Sequence, residues 1–331
     1  MFRRARLVLA GTLVALTAIV TTASAHEVVV ANEGGRSLSV IDLRSGTTST
    51  VALPIAPHNV QVGPDGRIYV VGMPDSDMES MPGMPHAPGR LLVLSPNGLA
   101  GRPLLNVAIG MHPAHVVVDS RGTVYVSLSG ESSVAVVDRS GRVVARIPVG
   151  TGAHGLRLSA DGRRLYVANA EDDSLSVIDA PARREIARIT VGRTPMQVAV
   201  VPNGRRVYVS LSGEDAVALV DVAAGRVVKK IRVGRRPAQI YLCANGTLVV
   251  ANQGTRTSPE STTTLVDTSS GRVLATLGTG AGSHGVVVDD SGRYAYVTAS
   301  FANTTTVIDL RRMRAIRRYR VGDEPAGITY R

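Results

Sequence analysis

One short pattern recurs seven times along the chain: an aliphatic or aromatic residue, Val, and then small or polar residues. The runs are Val28 to Asn32, Ile68 to Val71, Val124 to Ser127, Leu165 to Asn169, Val207 to Ser210, Leu248 to Asn252 and Ala295 to Thr298. From the second residue of one run to that of the next, the steps are 40, 56, 41, 42, 41 and 47 residues. Other apolar runs lie between them, separated by Asp-, Ser- and Gly-bearing turns of the kind that join hairpin strands. A period near forty, built only of strands and turns, predicts an all-β fold. It is a seven-bladed β-propeller with one four-stranded sheet per blade.

The third unit shows the predicted blade most clearly. Strand a runs over His115 to Val118, b over Val124 to Ser127, c over Val134 to Asp138 and d over Val143 to Pro148. Units of the same form start at His58, His154, Met196, Ala238 and His284. The first unit lacks its own strand a, whereas Pro325 to Tyr330 repeats the strand-a pattern at the very end of the chain. The C-terminal strand is therefore expected to join blade one and close the ring. Strand direction alternates within a blade, so the d-to-a connections and b-to-c turns share one face of the disc.

Residues 1–25 are set apart from this repeat. Arg3, Arg4 and Arg6, an apolar stretch from Leu7 to Val20, and Ala23-Ser24-Ala25 form the three parts of a secretory signal peptide. Cleavage after Ala25 would leave residues 26–331 as a single propeller, periplasmic or secreted, with no membrane span. Cys243 is the only cysteine, so no internal disulfide and no Cys-x-x-Cys-His haem attachment is expected. Without the three arginines of the signal segment, 34 basic and 26 acidic side chains remain, a formal charge of +8. Much of that excess falls on outer strands, as at Arg226 to Arg236 and Arg311 to Arg320, where charge guards an exposed sheet edge. With no Trp and two Phe to stack bases, nucleic acid is not an expected partner. A monomer is expected.

Leu165 to Asp179, with Leu-Tyr-Val-Ala-Asn followed by Ser-Leu-Ser-Val-Ile-Asp, resembles the repeat of the YVTN family of β-propellers. The resemblance extends over essentially the whole chain after the signal segment. It implies the propeller fold and leaves function open, because related propellers serve as binding proteins, redox-enzyme subunits, lactonases and surface-layer components.

Candidate chemistry gathers on one predicted face. His58, His154 and His284 open strand a in blades two, four and seven, His115 sits one residue later in blade three, and Met196 holds the position in blade five. Met111 and His112 lie in the connection before blade three. The long step of 56 residues marks an insertion, 73–89, between strands b and c of blade two. It carries Met73, Met78, Met81, Met84 and His86. Thioether sulfur favours Cu(I), and imidazole suits copper in either state. The spacing of the methionines resembles the Met-rich motifs of bacterial periplasmic copper-handling proteins. His58, Met78, Met81, Met84, His86, Met111, His112, His115, His154, Met196 and His284 are thus the candidate metal ligands, with copper as the candidate cofactor.

Carboxylates follow strand b at equivalent places, Glu33, Glu131, Glu171 and Glu214, and such recurrence suggests a turn-forming role. No phosphate-binding Gly-rich loop, Gly-x-Ser-x-Gly elbow or His-Glu-x-x-His helix occurs. The sequence alone therefore favours an exported, non-catalytic binding or scaffold propeller, meeting copper or a periplasmic or secreted protein partner through its Met- and His-bearing face. The alternatives are a channel-mouth hydrolase of lactonase type and a purely protein-interacting surface protein.

Overall fold

The computed structural model describes residues 26–74, 87–99, 101–202 and 204–331. Seven antiparallel sheets of four strands form a ring of blades. In blade one, Glu27–Asn32, Ser37–Asp42 and Thr48–Ala52 are strands b, c and d, and the last strand of the chain, Pro325–Tyr330, is strand a. Val28 pairs with Tyr330 and Val30 with Ile328. Arg331 Nε donates to the Glu27 carboxylate at 2.8 Å, pinning the clasp beyond its last strand residue. The clasp pairs the inner edge of Glu27–Asn32, whose backbone groups would otherwise stand open.

The inner strands of blades two to seven are Ile55–Val62, Pro113–Val118, Ala153–Leu158, Pro195–Val200, Pro237–Leu242 and Ser283–Val288. A separate apolar cluster fills each of the seven gaps between neighbouring blades. Across the closing gap, for example, Val28, Val30 and Ile41 pack on Tyr296 and Val307. Stability is therefore distributed around the ring as nearest-neighbour contacts. The outermost strands Arg226–Arg232 and Arg314–Arg320 bury Ile231 and Tyr319 and expose their basic side chains, as an unpaired edge requires. Among the described residues no helix is long and apolar enough to cross a membrane.

One irregularity recurs in every blade. In blade three Pro113 pairs with Leu128 but Val116 with Val126, so strand a carries one residue more than its partner. The other six inner strands show the same step. These are β-bulges, which bend a strand and redirect its side chains. Strand a of blade three accordingly begins at Pro113, two residues before the alternation starts at His115, because the bulge interrupts the alternation the sequence displays.

Hydroxyls of strand b lock the bulges together. Ser127 Oγ accepts from the His115 N–H at 3.0 Å and donates to the His154 carbonyl of the next blade. Ser210 does the same for Gln197 and the Ala238 carbonyl, and Thr298 for Gly285 and the Ala326 carbonyl.

Candidate functional site

The bulges stand around the axis at one mouth of the central channel, and the residues they carry meet there. His58, His154 and His284 occupy the first bulged position in their blades and His115 the second. The His58 ring lies 5.8, 5.5 and 5.9 Å, centroid to centroid, from His115, His154 and His284, while His115 and His154 are 4.9 Å apart. His115 and His284 are 1% and 6% exposed. Four histidines from four blades thus form one group. Two residues adjacent in frame but offset by one in sequence can converge because the extra residue of the bulge turns both inward.

Partners fix the rings. His58 Nδ1 lies 3.0 Å from Glu33 Oε2, in the b-to-c turn of blade one, so the carboxylate holds the proton on that nitrogen. His154 Nδ1 donates to the Met196 carbonyl at 3.0 Å. In both rings Nε2 is left with its lone pair. His115 Nδ1 lies 3.3 Å from Gln197 Nε2. Buried ring nitrogens without a partner remain on His58 (Nε2), His115 (Nε2) and His284 (Nδ1). Unpaired buried polar atoms are costly and uncommon, and three on one set of converging rings mark a place where a polar guest fits.

The four rings differ in charge. Burial drives His154 down to about 3 and His284 to about 4, with repulsion from His58 adding to both. Burial also holds His115 well below the ordinary imidazole range, helped by His154, His58 and the Arg157 guanidinium. His58 is the exception. Burial acts against its charged form, but the Glu33 charge and hydrogen bond carry it above the usual value. Burial tends to raise Glu33, yet attraction to His58 and the hydrogen bond from it leave the carboxyl below its ordinary range. At neutral pH the hub therefore contains one proton-accepting pair, Glu33–His58, and three neutral imidazoles.

The group opens through a cavity of about 180 Å³ lined by Glu33, His58, Met73, His112, Ser129 and His154. His112 is exposed at its rim, at a positive φ of 49°, outside the cluster of four. The contacts of Met111 and Met196 here are made by backbone: the Met111 N–H donates to Glu131 and the Met196 carbonyl accepts from His154. Met78, Met81, Met84 and His86 lie outside the described residues, as do residues 1–25.

Two of the recurrent turn carboxylates are structural. Glu131 accepts the Met111 N–H at 2.7 Å and pairs with Arg146, and Glu214 accepts the Arg193 N–H at 2.9 Å and pairs with Lys230. Glu33, at the equivalent turn, instead reaches the hub. Gln197 and Arg157 neighbour His115 in the hub without any motif of their own in the sequence. Aligned on a Pro, Ala or Ser followed three residues later by an aliphatic residue, the seven inner strands place Gln197 at the same bulge position as His115.

A larger cavity of about 820 Å³ lies between blades five and six, lined by Arg205, Tyr208, Asp221, Cys243 and Thr268 among others. It brings together no converging acid–base or ligand set. Burial pushes the Cys243 thiol up to about 12, which makes it an inert core group. His26 Nδ1 bonds Tyr330 OH at 2.8 Å and lines another pocket, away from the hub.

A family model described as YNCE-like beta-propeller matches residues 104–247. No curated protein matches the chain. Among solved structures, the periplasmic gluconolactonase of Pseudomonas aeruginosa is 18% identical with a TM-score of 0.71, covering 92% of this chain and 98% of its own. A candidate 6-phosphogluconolactonase from Bacteroides uniformis gives 15% and 0.74, covering 92% and 99%. Kuenenia stuttgartiensis hydrazine synthase gives 20% and 0.68, covering 82% and 88%. At these identities the likeness establishes the fold, and the chain is a seven-bladed β-propeller protein. The expectation of a non-catalytic binding or scaffold protein is corrected at this point. Structures of this ring described as lactonases stand among its neighbours, and the channel mouth carries a hydrogen-bonded Glu33–His58 pair.

Proposed function

We propose that the protein is a hydrolase of lactonase type, opening a small cyclic ester at the mouth of its central channel. The observation that carries this reading is the Glu33–His58 pair, 3.0 Å apart, whose free Nε2 faces the hub beneath an open cavity. A base ring oriented by a carboxylate on its far nitrogen is the arrangement that activates an attacking group.

His58 Nε2 would take a proton from water as the water oxygen bonds to the ester carbonyl carbon. Glu33 would hold the Nδ1 proton and stabilise the imidazolium that forms. The ring C–O bond then breaks, and the proton on Nε2 passes to the departing alkoxide, giving an open hydroxy acid. His115, His154 and His284, neutral themselves, add no positive charge of their own beside His58. Among the described residues the cavity lining includes no Lys or Arg and has Glu33 as its one carboxylate, which favours an uncharged lactone over a phosphorylated one.

The Tyr-Val and Val-Ile-Asp repeat ends, together with the match to YNCE-like propellers, support placement among exported propellers of the YVTN kind. The signal-like residues 1–25 support action outside the cytoplasm.

The test is lactone opening followed by acid release in a pH-stat, with glucono-1,5-lactone and its 6-phosphate compared against the spontaneous rate. Turnover that falls about 10²–10⁴-fold in His58→Ala is expected. Rates equal to the spontaneous reaction across a panel of lactones would remove the reading.

A further inference from the structure

We propose that His58, His115 and His154 bind a single imidazole-preferring transition-metal ion, Zn(II) or Cu(II), on the propeller axis. One ligand nitrogen from each of the three lies within 4.8 Å of the others. That spacing needs only a small inward closure to reach metal–nitrogen bonds of about 2.0–2.1 Å.

Two further observations point to a ligand. First, His58 Nε2 and His115 Nε2 are buried with no hydrogen-bond partner, and so is His284 Nδ1 on a fourth ring beside them. Second, outer-sphere contacts already orient two of the ligands. Glu33 holds His58 Nδ1 and the Met196 carbonyl holds His154 Nδ1, which fixes the tautomer that presents an Nε2 lone pair inward. A metal-bound histidine is ordinarily held this way, its second nitrogen donating to a carboxylate or carbonyl. Glu33, behind His58, supplies negative charge toward a dication without entering its coordination sphere. Three imidazoles leave a further position for His284 or water, and this donor set suits zinc and copper better than magnesium or calcium.

An ion here and a proton on His58 Nε2 exclude each other, so loading withdraws the base invoked above. The binding proposal stands without the hydrolase reading, and the two fail separately.

The experiment uses the mature chain without a histidine tag, stripped with EDTA. Zn(II), Cu(II) and, under reducing conditions, Cu(I) are titrated in competition with a chromophoric chelator. Electron paramagnetic resonance of the Cu(II) form reads its nitrogen ligands. Expected are one ion per chain, nitrogen hyperfine structure, and at least a 100-fold loss of affinity in His58→Ala, His115→Ala and His154→Ala. The rim variant His112→Ala and deletion of 75–86 should leave affinity within a few-fold of the parent. Circular dichroism confirms that each variant is folded, and His154→Gln serves if His154→Ala is not.

Failure to bind any of the ions, a Cu(II) spectrum without nitrogen ligands, or affinity lost with the insertion instead of the histidines would each overturn the axial site. Lactone turnover is read on stripped and loaded protein together. Turnover by stripped protein that loading suppresses supports both readings. Turnover that requires the ion leaves the site standing and overturns His58 as the base.

Discussion

Glu33 and His58 belong to different blades and are 25 residues apart, yet their side chains meet at 3.0 Å across the first blade junction. The contact makes His58 the one member of the hub histidines whose protonated form is favoured. Replacing Glu33 by Gln should remove that preference. If His58 is the base, kcat/KM is high where it is neutral and falls as pH drops through its value, which lies above 6.5 in the parent. In Glu33→Gln this acid limb should move to lower pH, and the plateau should fall roughly 10²-fold as the oriented carboxylate is lost. A pH–rate profile of the two proteins checks both effects, and an unmoved acid limb would count against the pair.

Acid should weaken the fold through His154 and His284. Both are neutral in the ring down to about 3 and about 4, whereas in the unfolded chain they take protons near 6.5. Between these limits the unfolded state binds more protons, so stability declines as pH falls below 6.5 and is unaffected by these groups above it. For His284 alone the loss by pH 4 is roughly 3 kcal/mol. His58 acts in the opposite sense. Its contribution is complete below 6.5 and fades as pH rises through its raised value. Denaturant unfolding at pH 7, 5.5 and 4.5 should show the decline, with a shallower slope in His284→Asn.

Gly155 marks how tightly the bulges approach. A Cβ there would lie 2.3 Å from the Met196 carbonyl oxygen, the group that holds His154. Gly155→Ala should force the two inner strands apart, cost about 1–3 kcal/mol, and release the His154 ring. Parallel measurement of unfolding and of hub function should show both falling together. A variant with unchanged stability and function would mean that the close approach has no consequence.

The clasp is expected to be a principal source of ring stability. Ile328, 6% exposed, packs in the cluster between blades seven and one. Ile328→Ala should cost about 2–5 kcal/mol, and removal of 325–331 should expose the inner edge of Glu27–Asn32 and promote association. Size-exclusion chromatography with light scattering distinguishes a merely weakened monomer from an edge-paired oligomer.

Glu131 offers the contrast to Glu33. It accepts a backbone N–H and pairs with a half-exposed Arg146, so Glu131→Gln should cost no more than about 1 kcal/mol and leave the hub intact. Comparable loss of lactone turnover in Glu131→Gln and Glu33→Gln would argue against any special role for the latter.

The sequence by itself determined the number of blades, the closing strand and the face on which the histidines lie. All three follow from a local pattern, alternating apolar runs and turn residues repeated about every forty positions, which each blade states anew. It could not determine whether His58, His115, His154 and His284 meet, since they come from blades two, three, four and seven and no local rule fixes distances around a ring. Nor could it separate Glu33 from Glu131 and Glu214, which occupy equivalent turns but face different neighbours. The tertiary structure decided these points. Ring closure sets the distance between inner strands, and the repeated bulge turns residues at two different sequence offsets toward one axis. Burial at that axis then holds three of the imidazoles neutral, while the Glu33 carboxylate makes the fourth, His58, favour a proton.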